Sequence, residues 1–585
     1  MNSTRIALGQ INTIVGDLKG NTAKILDHIE QARALGVDII AFPELAVTGY
    51  PPEDLLLKPK FVQDNLRHLD RIIAASKNMA VIVGFVDMRE DLYNAAAIIQ
   101  DRQIVGIYHK IYLPTYGVFD EDRYFQAGAA TPVFSLCDTT VGVNICEDMW
   151  YPTGPSSAQS AKGALLIVNI NGSPYHIAKR ASRERMLATR AFDDLVIVAY
   201  VNLVGGQDEL IFDGGSIIFD QRGEVIARGS QFEEDLVVAD LDVEGVFRTR
   251  LHDPRRRKER RLLTAESNSP KPSSDAASDV SARPAGREML PQAGEKRTIY
   301  PSGSYGEIYS ALVLGTRDYV HKNHFSKVVI GLSGGIDSSL TAVIAADALG
   351  AENVVGVRMP SRFTSKESME DAEQLAGNVG IEMLTIGIEP AFKPMLQMME
   401  AAFKGTNPNV AEENMQARIR GNILMALSNK FGYLVLTTGN KSELATGYST
   451  LYGDMAGGFS PLKDVYKTTV YGLARYREDR DAGSCIPLRV FEKAPTAELR
   501  PGQRDVDSLP PYEVLDPILM SYVEEDRSFD EIVGIGFDVT TVQRVISMVD
   551  RSEYKRRQSP PGLKITPRAF GRDRRLPITN HYSEL

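Results

Sequence analysis

Residues 328 to 339, which read VVIGLSGGIDSS, have the pattern of a phosphate-binding turn. Three apolar, β-prone residues lead into a turn that contains Gly331, Gly334 and Gly335, and a helix-like segment from Leu340 to Leu349 follows. A strand, a glycine-rich turn and a helix N-terminus direct several backbone N–H groups and the positive end of the helix dipole at one point, which suits phosphate. Glycine is needed there because a Cβ would block the tight backbone and the close approach of the ligand.

The polar side chains of this turn add to the same chemistry. Ser333, Ser338 and Ser339 supply hydroxyl donors, and Asp337 supplies a carboxylate that could hold Mg²⁺ beside phosphates. The turn is not a Walker A loop, because it lacks the Gly-Lys-Ser/Thr ending, and it is not a dinucleotide GxGxxG. It resembles the signature loop of the ATP pyrophosphatases, which cleave ATP between its α and β phosphates to adenylate a carbonyl oxygen. The resemblance implies that ATP lies on Gly331, Leu332, Ser333, Gly334, Gly335, Ile336, Asp337 and Ser338.

The first half of the chain carries a second set of reactive residues. Glu44 follows the apolar run that ends at Phe42, Lys110 follows another apolar run, and Cys146 comes directly after VGVNI. Ends of strands are where α/β enzymes place their sites. A cysteine thiol needs a base to become a nucleophile, and Glu44 could take that proton and return it to a leaving amine. Lys110 could stabilise the thiolate and, with the N–H after Cys146, a tetrahedral oxyanion. The combination predicts amide hydrolysis through a thioester.

The local sequences around these three residues, FPELA, HKIYLP and CEDMW, resemble the nitrilase superfamily and, within it, the glutamine-hydrolysing branch. The resemblance implies that Glu44 is the base, Lys110 the partner of the thiolate and oxyanion, and Cys146 the nucleophile. It further implies a set of residues that support or contact glutamine: Tyr116, Glu121, Ser173 and Lys179.

Three segments of the second half, ENMQARIR (413–420), LTTGNKSE (436–443) and DMAGGFSPLKDVYK (454–467), resemble NAD synthetases of the glutamine-hydrolysing type. The resemblance covers nearly the whole chain. It implies three substrates, namely L-glutamine, ATP and deamido-NAD⁺, together with Mg²⁺ as the metal ion. The implied ATP contacts beyond the loop are Thr438, Lys467 and Thr496; the deamido-NAD⁺ contacts are Asn414, Glu443 and Lys555; the Mg²⁺ ligands are Asp337 and Glu443. Leu451 stands where ammonia-dependent relatives carry a lysine.

Hydrophobic patterning predicts that strands and helices alternate in both halves. The predicted strands are Ile6–Leu8, Val37–Phe42, Val81–Phe85, Val141–Ile145, Leu165–Ile170 and Val196–Val201 in the first half, and Val328–Gly331, Val354–Met359, Met383–Ile386 and Leu434–Thr437 in the second. Predicted helices include Asn21–Leu35 and Ile177–Phe192. This is an α/β pattern. The resemblances imply a nitrilase-like αββα sandwich followed by a Rossmann-like domain of the adenine nucleotide α-hydrolase type, with a parallel sheet.

A compositional break separates the two halves. From Asn268 to about Glu295 the chain is rich in Ser, Pro, Ala and charge and has no apolar periodicity, which predicts a flexible linker. We therefore expect a glutaminase domain over residues 1–263, a linker over 264–295 and a synthetase domain over 296–585. The basic run from Arg255 to Arg261 is interpreted as a solvated domain end.

The overall composition excludes several classes of protein. A chain of 585 residues is too long for one core, and 43% apolar with 24% charged residues is typical of globular domains. A net charge of −10 argues against general binding to nucleic acid or anionic membranes. No apolar run approaches a membrane span, and the first ten residues lack the apolar core of a signal peptide. Three cysteines favour a reducing cytoplasm. Family resemblance implies a homo-oligomer, often an octamer.

Three alternatives remain open at this point. Asparagine and GMP synthetases resemble only the second half: the former needs a cysteine after the initiator Met, where this chain has Asn2, and the latter uses a Cys-His-Glu glutaminase. A non-catalytic nucleotide-binding regulator on these folds would be expected to lack Cys146 or Asp337, and both are present. A carbon–nitrogen hydrolase with a nucleotide-sensing domain predicts glutaminase activity that is indifferent to deamido-NAD⁺, and no ATP cleavage.

Overall fold

Two six-stranded sheets stacked face to face form the first half of the chain. The computed structural model describes residues 3–253, 297–480 and 485–582. The strands of the first half are β1 Thr4–Gln10, β2 Ile39–Ala41, β3 Ala80–Met88, β4 Leu92–Gln100, β5 Gln103–His109, β6 Val133–Leu136, β7 Thr139–Ile145, β8 Leu166–Asn171, β9 Ile197–Asn202, β10 Val204–Gln207, β11 Leu210–Asp213, β12 Ile217–Phe219, β13 Val225–Arg228 and β14 Asp235–Leu241. One sheet has the order β14-β1-β2-β3-β4-β5 and the other β13-β12-β9-β8-β7-β6, while β10 and β11 form a separate hairpin.

The two sheets bury an apolar core between them and carry helices on their outer faces. Ile6 and Leu8 of one sheet face Val143 and Val168 of the other within this core. The helices are Leu18–Ala34 and Pro59–Ala75 on the first sheet, Pro155–Ala161 and Lys179–Asp194 on the second, and Val243–His252 after β14. The predicted αββα sandwich is confirmed.

The six strands predicted for the first half are present as β1, β2, β3, β7, β8 and β9. The predicted helices are also present, with ends displaced by one to three residues. The other strands of the first half, β4 to β6 and β10 to β14, were not predicted. One physical reason is the turn between β4 and β5, which is made by Asp101 and Arg102 with φ of 49° and 66°. Two-residue hairpin turns of this kind usually have the sequence Asn-Gly or Asp-Gly, and this turn contains no glycine.

A four-stranded parallel sheet with the order β17-β16-β15-β18 organises the second half. Its strands are β15 Val328–Gly331, β16 Val354–Arg358, β17 Glu382–Thr385 and β18 Leu434–Leu436, as predicted to within two residues. The helices are Tyr305–Lys322, Ile336–Leu349, Lys366–Val379, Glu389–Met399, Val410–Phe431, Lys441–Thr446, Lys467–Arg480, Leu488–Glu492, Tyr512–Val523, Phe529–Gly534, Val539–Arg551 and Glu553–Arg556. The helix after β15 begins at Ile336 rather than Leu340, so Asp337 lies in its first turn.

The β10–β11 hairpin of the first half packs on the helix Tyr305–Lys322 of the second. Lys322 Nζ donates to Asn12 Oδ1 at 2.8 Å and to the carbonyl oxygens of Thr13 and Gly206 at 2.7 Å. Asp318 accepts from Asn12 Nδ2 and from the Gly206 N–H, both at 2.7 Å. Each half therefore satisfies buried polar groups of the other, which fixes their relative placement.

The predicted linker, residues 264–295, and the basic run Arg255–Arg261 lie outside the described residues. In the part of the chain that the structure describes, no helix is long and apolar enough to cross a membrane.

Candidate active sites

Glu44 is held in a turn just beyond β2. Its side chain is completely buried. The next residue, Leu45, has a φ of 47°, which bends the chain sharply. Gly84 of the neighbouring strand β3 leaves room for this bend, because a Cβ there would lie 2.3 Å from Leu45 N and 2.5 Å from Pro43 O. The packing of two strands thus presents a carboxylate inside the sandwich.

Cys146 stands at the end of β7, where the strand turns into the short 3-10 helix Cys146–Met149. Its φ of 44° is uncommon for a residue with a side chain, and such strain is typical of functional turns. Asp148, two residues on, holds the turn: its carboxylate accepts from the N–H groups of Ile145 at 3.1 Å and Tyr112 at 2.9 Å, and from the Tyr108 hydroxyl at 2.7 Å. One buried carboxylate therefore ties the cysteine turn to the segment that follows Lys110.

The structure brings Glu44, Lys110 and Glu121 into direct contact. Lys110 Nζ donates to Glu44 Oε1 at 2.7 Å and to Glu121 Oε1 at 2.8 Å. Asn94 Nδ2 also donates to Glu44 Oε1 at 2.7 Å, and the Gly172 N–H donates to Glu44 Oε2 at 2.8 Å. Both oxygens of Glu44 are thus hydrogen-bonded, as a buried carboxylate requires.

The charges of this cluster determine its protonation. Burial raises the pKa of the Cys146 thiol, Glu44 raises it further and Lys110 opposes them, so the resting group is a neutral thiol. Burial acts to lower the pKa of Lys110, but Glu121 and Glu44 outweigh it and raise that pKa well above its usual value. Burial raises the pKa of Glu121 to about 7. A neutral thiol beside a lysine ammonium and a carboxylate can attack a carbonyl carbon while the carboxylate removes the thiol proton.

The predicted glutamine contacts lie around this cluster. Tyr116 is mostly exposed, and its hydroxyl donates to Glu147 at 2.9 Å, next to Cys146. Ser173 is buried, with its N–H on Asn202 Oδ1 at 3.0 Å. Lys179 Nζ donates to the Pro174 carbonyl at 2.8 Å. Burial and the neighbouring Arg183 lower the pKa of Lys179 to about 8, and its charge interacts with Cys146.

The phosphate turn of the second half lies where β15 ends. Parallel strands β15 and β18 end at the same edge of the sheet, so the turn after Gly331 meets the segment that follows Leu436. Gly334 has a φ of 76°, and a Cβ there would lie 2.2 Å from the Ser368 carbonyl oxygen. Only glycine fits at position 334, which explains the first glycine of the Ser333-Gly334-Gly335 sequence.

Asp337, Glu443 and Lys467 converge beside this turn. Lys467 Nζ forms an ion pair with Asp337 Oδ2 and another with Glu443 Oε1 at 3.2 Å. Burial raises the pKa of Glu443 to about 8, although Lys467 opposes this. Within the described residues no three Asp, Glu, His or Cys side chains form a metal cage. The two carboxylates nevertheless fit Mg²⁺, which is usually held by one or two carboxylates together with substrate phosphates.

Two adjoining lobes of a cavity, which share lining residues, run along this edge of the sheet. The first, here called the apolar lobe, is lined by Leu332, Met359, Leu424 and Leu436. The second, here called the lysine lobe, is lined by Gly334, Gly335, Ile336, Lys467 and Lys493, together with five carboxylates. Ser333, Asp337, Glu443 and Thr496 line both lobes, while Gly331, Ser338 and Thr438 line the apolar one. All of the predicted ATP contacts thus border one of the two lobes.

Two of the predicted dinucleotide contacts, Asn414 and Lys555, do not line this cavity. Asn414 Oδ1 accepts from the Thr450 hydroxyl at 2.8 Å. Lys555 Nζ donates to the carbonyl oxygens of Gly447 at 2.6 Å and Ser449 at 2.8 Å, and Ser449 lines the cavity. Their roles as direct substrate contacts stay predictions.

Comparison with known families matches both halves. Residues 5–251 match a carbon-nitrogen hydrolase model, and residues 308–559 match an NAD synthase model. A glutamine-dependent NAD(+) synthetase of Thermotoga maritima is 50% identical over 591 residues, which is 100% of each chain. The chain belongs to the glutamine-dependent NAD(+) synthetase family. A synthetase of the same name from Aquifex aeolicus is 49% identical over 583 residues, or 99% of each chain.

Solved synthetase structures cover the whole length. The glutamine-dependent NAD⁺ synthetase of Acinetobacter baumannii, determined in complex with adenosine diphosphate, is 40% identical with a TM-score of 0.73 and 100% coverage of both chains. The synthetase of Cytophaga hutchinsonii shares the fold, with a TM-score of 0.80 at 21% identity, covering 99% of this chain and 98% of that one.

Sequence reasoning missed several residues that this synthetase places around its reactive groups. They include Asn94 and Asp148 in the first half and Arg420, Lys493 and Glu498 in the second. Asp148 lies within the same CEDMW segment as Cys146, so its position was a usable signal. Asn94 comes from the middle of an antiparallel strand pair and belongs to no local pattern.

Proposed function

We propose that this chain converts deamido-NAD⁺ to NAD⁺ with ATP, using ammonia that it releases from L-glutamine. One observation carries the proposal: a buried cysteine–lysine–glutamate cluster and a glycine-rich phosphate turn with two adjacent carboxylates are held in fixed relation on one chain. The products are AMP, pyrophosphate, L-glutamate and NAD⁺, so the reaction is the last step of NAD⁺ formation.

The first half hydrolyses the amide in two steps. Cys146 Sγ attacks the side-chain amide carbon of glutamine while Glu44 removes the thiol proton, and Lys110 and the backbone N–H after Cys146 stabilise the oxyanion. Glu44 then gives its proton to the leaving nitrogen, so that ammonia departs and a thioester remains. Water, deprotonated by Glu44, attacks the thioester and releases glutamate.

Three residues hold the substrate in this scheme. The α-carboxylate of glutamine is its only anionic group, and Lys179 is a nearby cation whose hydrogen bond, among the described residues, goes to the Pro174 carbonyl oxygen and to no carboxylate. Tyr116 and Ser173 supply hydroxyl groups at the same site. Glu121 keeps Lys110 oriented, because its carboxylate accepts from Lys110 Nζ at 2.8 Å.

The second half activates the nicotinate carboxylate. That carboxylate attacks the α-phosphorus of ATP, and pyrophosphate leaves from the lysine lobe, where Lys467 and Lys493 offset its charge. Asp337 and Glu443 would hold Mg²⁺, which would neutralise the phosphate oxygens as the P–O bond breaks. Ammonia then attacks the carbonyl carbon of the adenylate, and AMP leaves. The apolar lobe accommodates the adenine base.

The test is NAD⁺ formation and pyrophosphate release with ATP, Mg²⁺ and deamido-NAD⁺, for the wild type and Cys146→Ala. Each protein is assayed with glutamine and, separately, with ammonium. We expect both proteins to form NAD⁺ with ammonium and only the wild type to do so with glutamine. If neither protein releases pyrophosphate under any of these conditions, the synthetase assignment is wrong. The chain would then be assigned as a nitrilase-type hydrolase.

We also propose that the protein is cytoplasmic and assembles as a homo-oligomer, an octamer by resemblance to its family. Light scattering of the full chain checks the assembly: a mass near eight times 64.4 kDa is expected, and a monomer would contradict it.

A further inference from the structure

Three cations line the apolar lobe of the synthetase cavity, and they differ in their partners. Arg358 pairs with Glu373 at 3.2 Å, and Lys463 contacts Glu209 at 3.4 Å. Arg420 has no carboxylate within ion-pair distance among the residues that the structure describes. Its one hydrogen bond runs from Nε to the Met359 carbonyl oxygen at 3.1 Å.

Water has little access to the hydrogen-bond donors of the Arg420 guanidinium. It lies on the helix Val410–Phe431, between the buried residues Ile419 and Gly421, and is itself only partly exposed. Burial lowers the pKa of Arg420 to about 10, and the negative charge of Glu498 opposes this shift. Glu498 is engaged elsewhere, since its Oε1 accepts from the Ser365 and Ser368 hydroxyls at 2.8 and 2.7 Å. A half-buried guanidinium without a counter-ion costs free energy, which an anionic ligand would recover.

The position of Arg420 along the cavity narrows the choice of anion. In the proposed arrangement the two phosphates that depart as pyrophosphate lie in the lysine lobe, beside Lys467 and Lys493, and the base lies in the apolar lobe. Arg420 lines the apolar lobe, with Met359 and Leu424. In that arrangement the phosphate that is bonded to the ribose lies between the base and the leaving group. A guanidinium presents paired N–H donors that match two phosphate oxygens.

We propose that Arg420 binds the α-phosphate of ATP and keeps its hold on that phosphate in the adenylate and in AMP. This rests on the proposed function, because it takes ATP as the occupant of the cavity. Arg420 would then contact the group whose phosphorus is attacked, and it would discriminate phosphorylated from unphosphorylated adenosine.

Binding of three probes to the full chain tests this, with ATP and deamido-NAD⁺ measured alongside them. AMP carries the α-phosphate, adenosine lacks it, and inorganic pyrophosphate represents only the leaving group. Calorimetry is run on the wild type, Arg420→Met, Arg420→Lys and Arg475→Met; Arg475 is an exposed arginine on the helix Lys467–Arg480 and serves as the matched control. Glutamate release without synthetase substrates reports that each variant is folded.

For Arg420→Met we expect AMP to bind about 10- to 100-fold more weakly, as for a lost charge-assisted hydrogen bond, with adenosine and pyrophosphate unchanged. Arg420→Lys keeps the charge without the paired donors, so its affinity for AMP should be about 3- to 10-fold weaker than that of the wild type. If Arg420→Met does not fold, this variant alone tests the proposal. Arg475→Met should match the wild type.

Two results would overturn the inference. One is AMP binding to both Arg420 variants as tightly as to the wild type. The other is unchanged AMP binding with weakened deamido-NAD⁺ binding, which would assign the guanidinium to the second substrate. A wild type that binds neither AMP nor ATP would instead refute the proposed function.

Discussion

The most informative perturbation of the glutaminase site is the ionisation of Lys179. Burial and Arg183 lower its pKa to about 8, and the protonated form is the one that can bind the α-carboxylate of glutamine. The charge is present below that pKa and is lost as the pH rises through it. About 90% of the free enzyme would carry the charge at pH 7 and about 10% at pH 9, so kcat/KM for glutamine should fall about 10-fold between them.

Lys179→Arg separates this ionisation from the others. The guanidinium stays protonated over the whole range, so the alkaline decline should move beyond about pH 9 in the variant. Glutamate release is measured at glutamine concentrations well below KM, with ATP, Mg²⁺ and deamido-NAD⁺ present. The glutamine amino group and Cys146 titrate in the same way in both assays. Dividing kcat/KM of the wild type by kcat/KM of the variant at each pH therefore cancels their contribution.

The reasoning would be refuted if the two profiles declined in parallel. The decline would then belong to a group that both proteins share. A Lys179→Met variant adds a second check: it should be weak at every pH and show no decline centred near pH 8.

Further predictions concern the other contacts. Asp148→Asn replaces one of two acceptor oxygens by an NH₂ donor, so two of the four hydrogen bonds that Asp148 accepts are lost, and the free energy of unfolding should fall by about 1–3 kcal/mol together with glutaminase activity; thermal unfolding and glutamate release measure this, and unchanged glutamate release would contradict it. Lys467→Met should reduce ammonium-driven NAD⁺ formation about 10²- to 10³-fold and leave basal glutaminase intact; retained pyrophosphate release would count against it. Gly334→Ala places a Cβ 2.2 Å from the Ser368 carbonyl oxygen and should abolish ATP binding in calorimetry, and binding at wild-type strength would contradict the fitted turn.

Residues that lie at the ends of parallel strands were predictable from the sequence. Glu44, Cys146 and the turn after Gly331 each follow a short β-branched run, and parallel strands bring such ends to one edge of a sheet. The apolar runs therefore predicted both the sheet and the location of the reactive groups. The helix after the phosphate turn began earlier than expected because Gly335 can serve as its N-cap without a polar side chain.

Residues contributed by antiparallel strands and by contacts between domains were not predictable. Asn94 reaches Glu44 because β4 pairs with β3 in a register that no short window of sequence encodes. A lysine near the end of a helix would be expected on the surface, yet the side chain of Lys322 is only 12% exposed, because it contacts a hairpin more than 100 residues away in the sequence. Such contacts depend on the assembled fold.

The docking of the β10–β11 hairpin has a consequence for how the chain can be divided. The hairpin and the helix Tyr305–Lys322 complete each other's hydrogen bonds, and Ile211 shares one apolar core with Leu312 and Leu563. The peptide connection through residues 254–296 is therefore not needed to hold the halves together. A gene interrupted in the stretch that encodes those residues should still yield two polypeptides that find each other and reconstitute one enzyme.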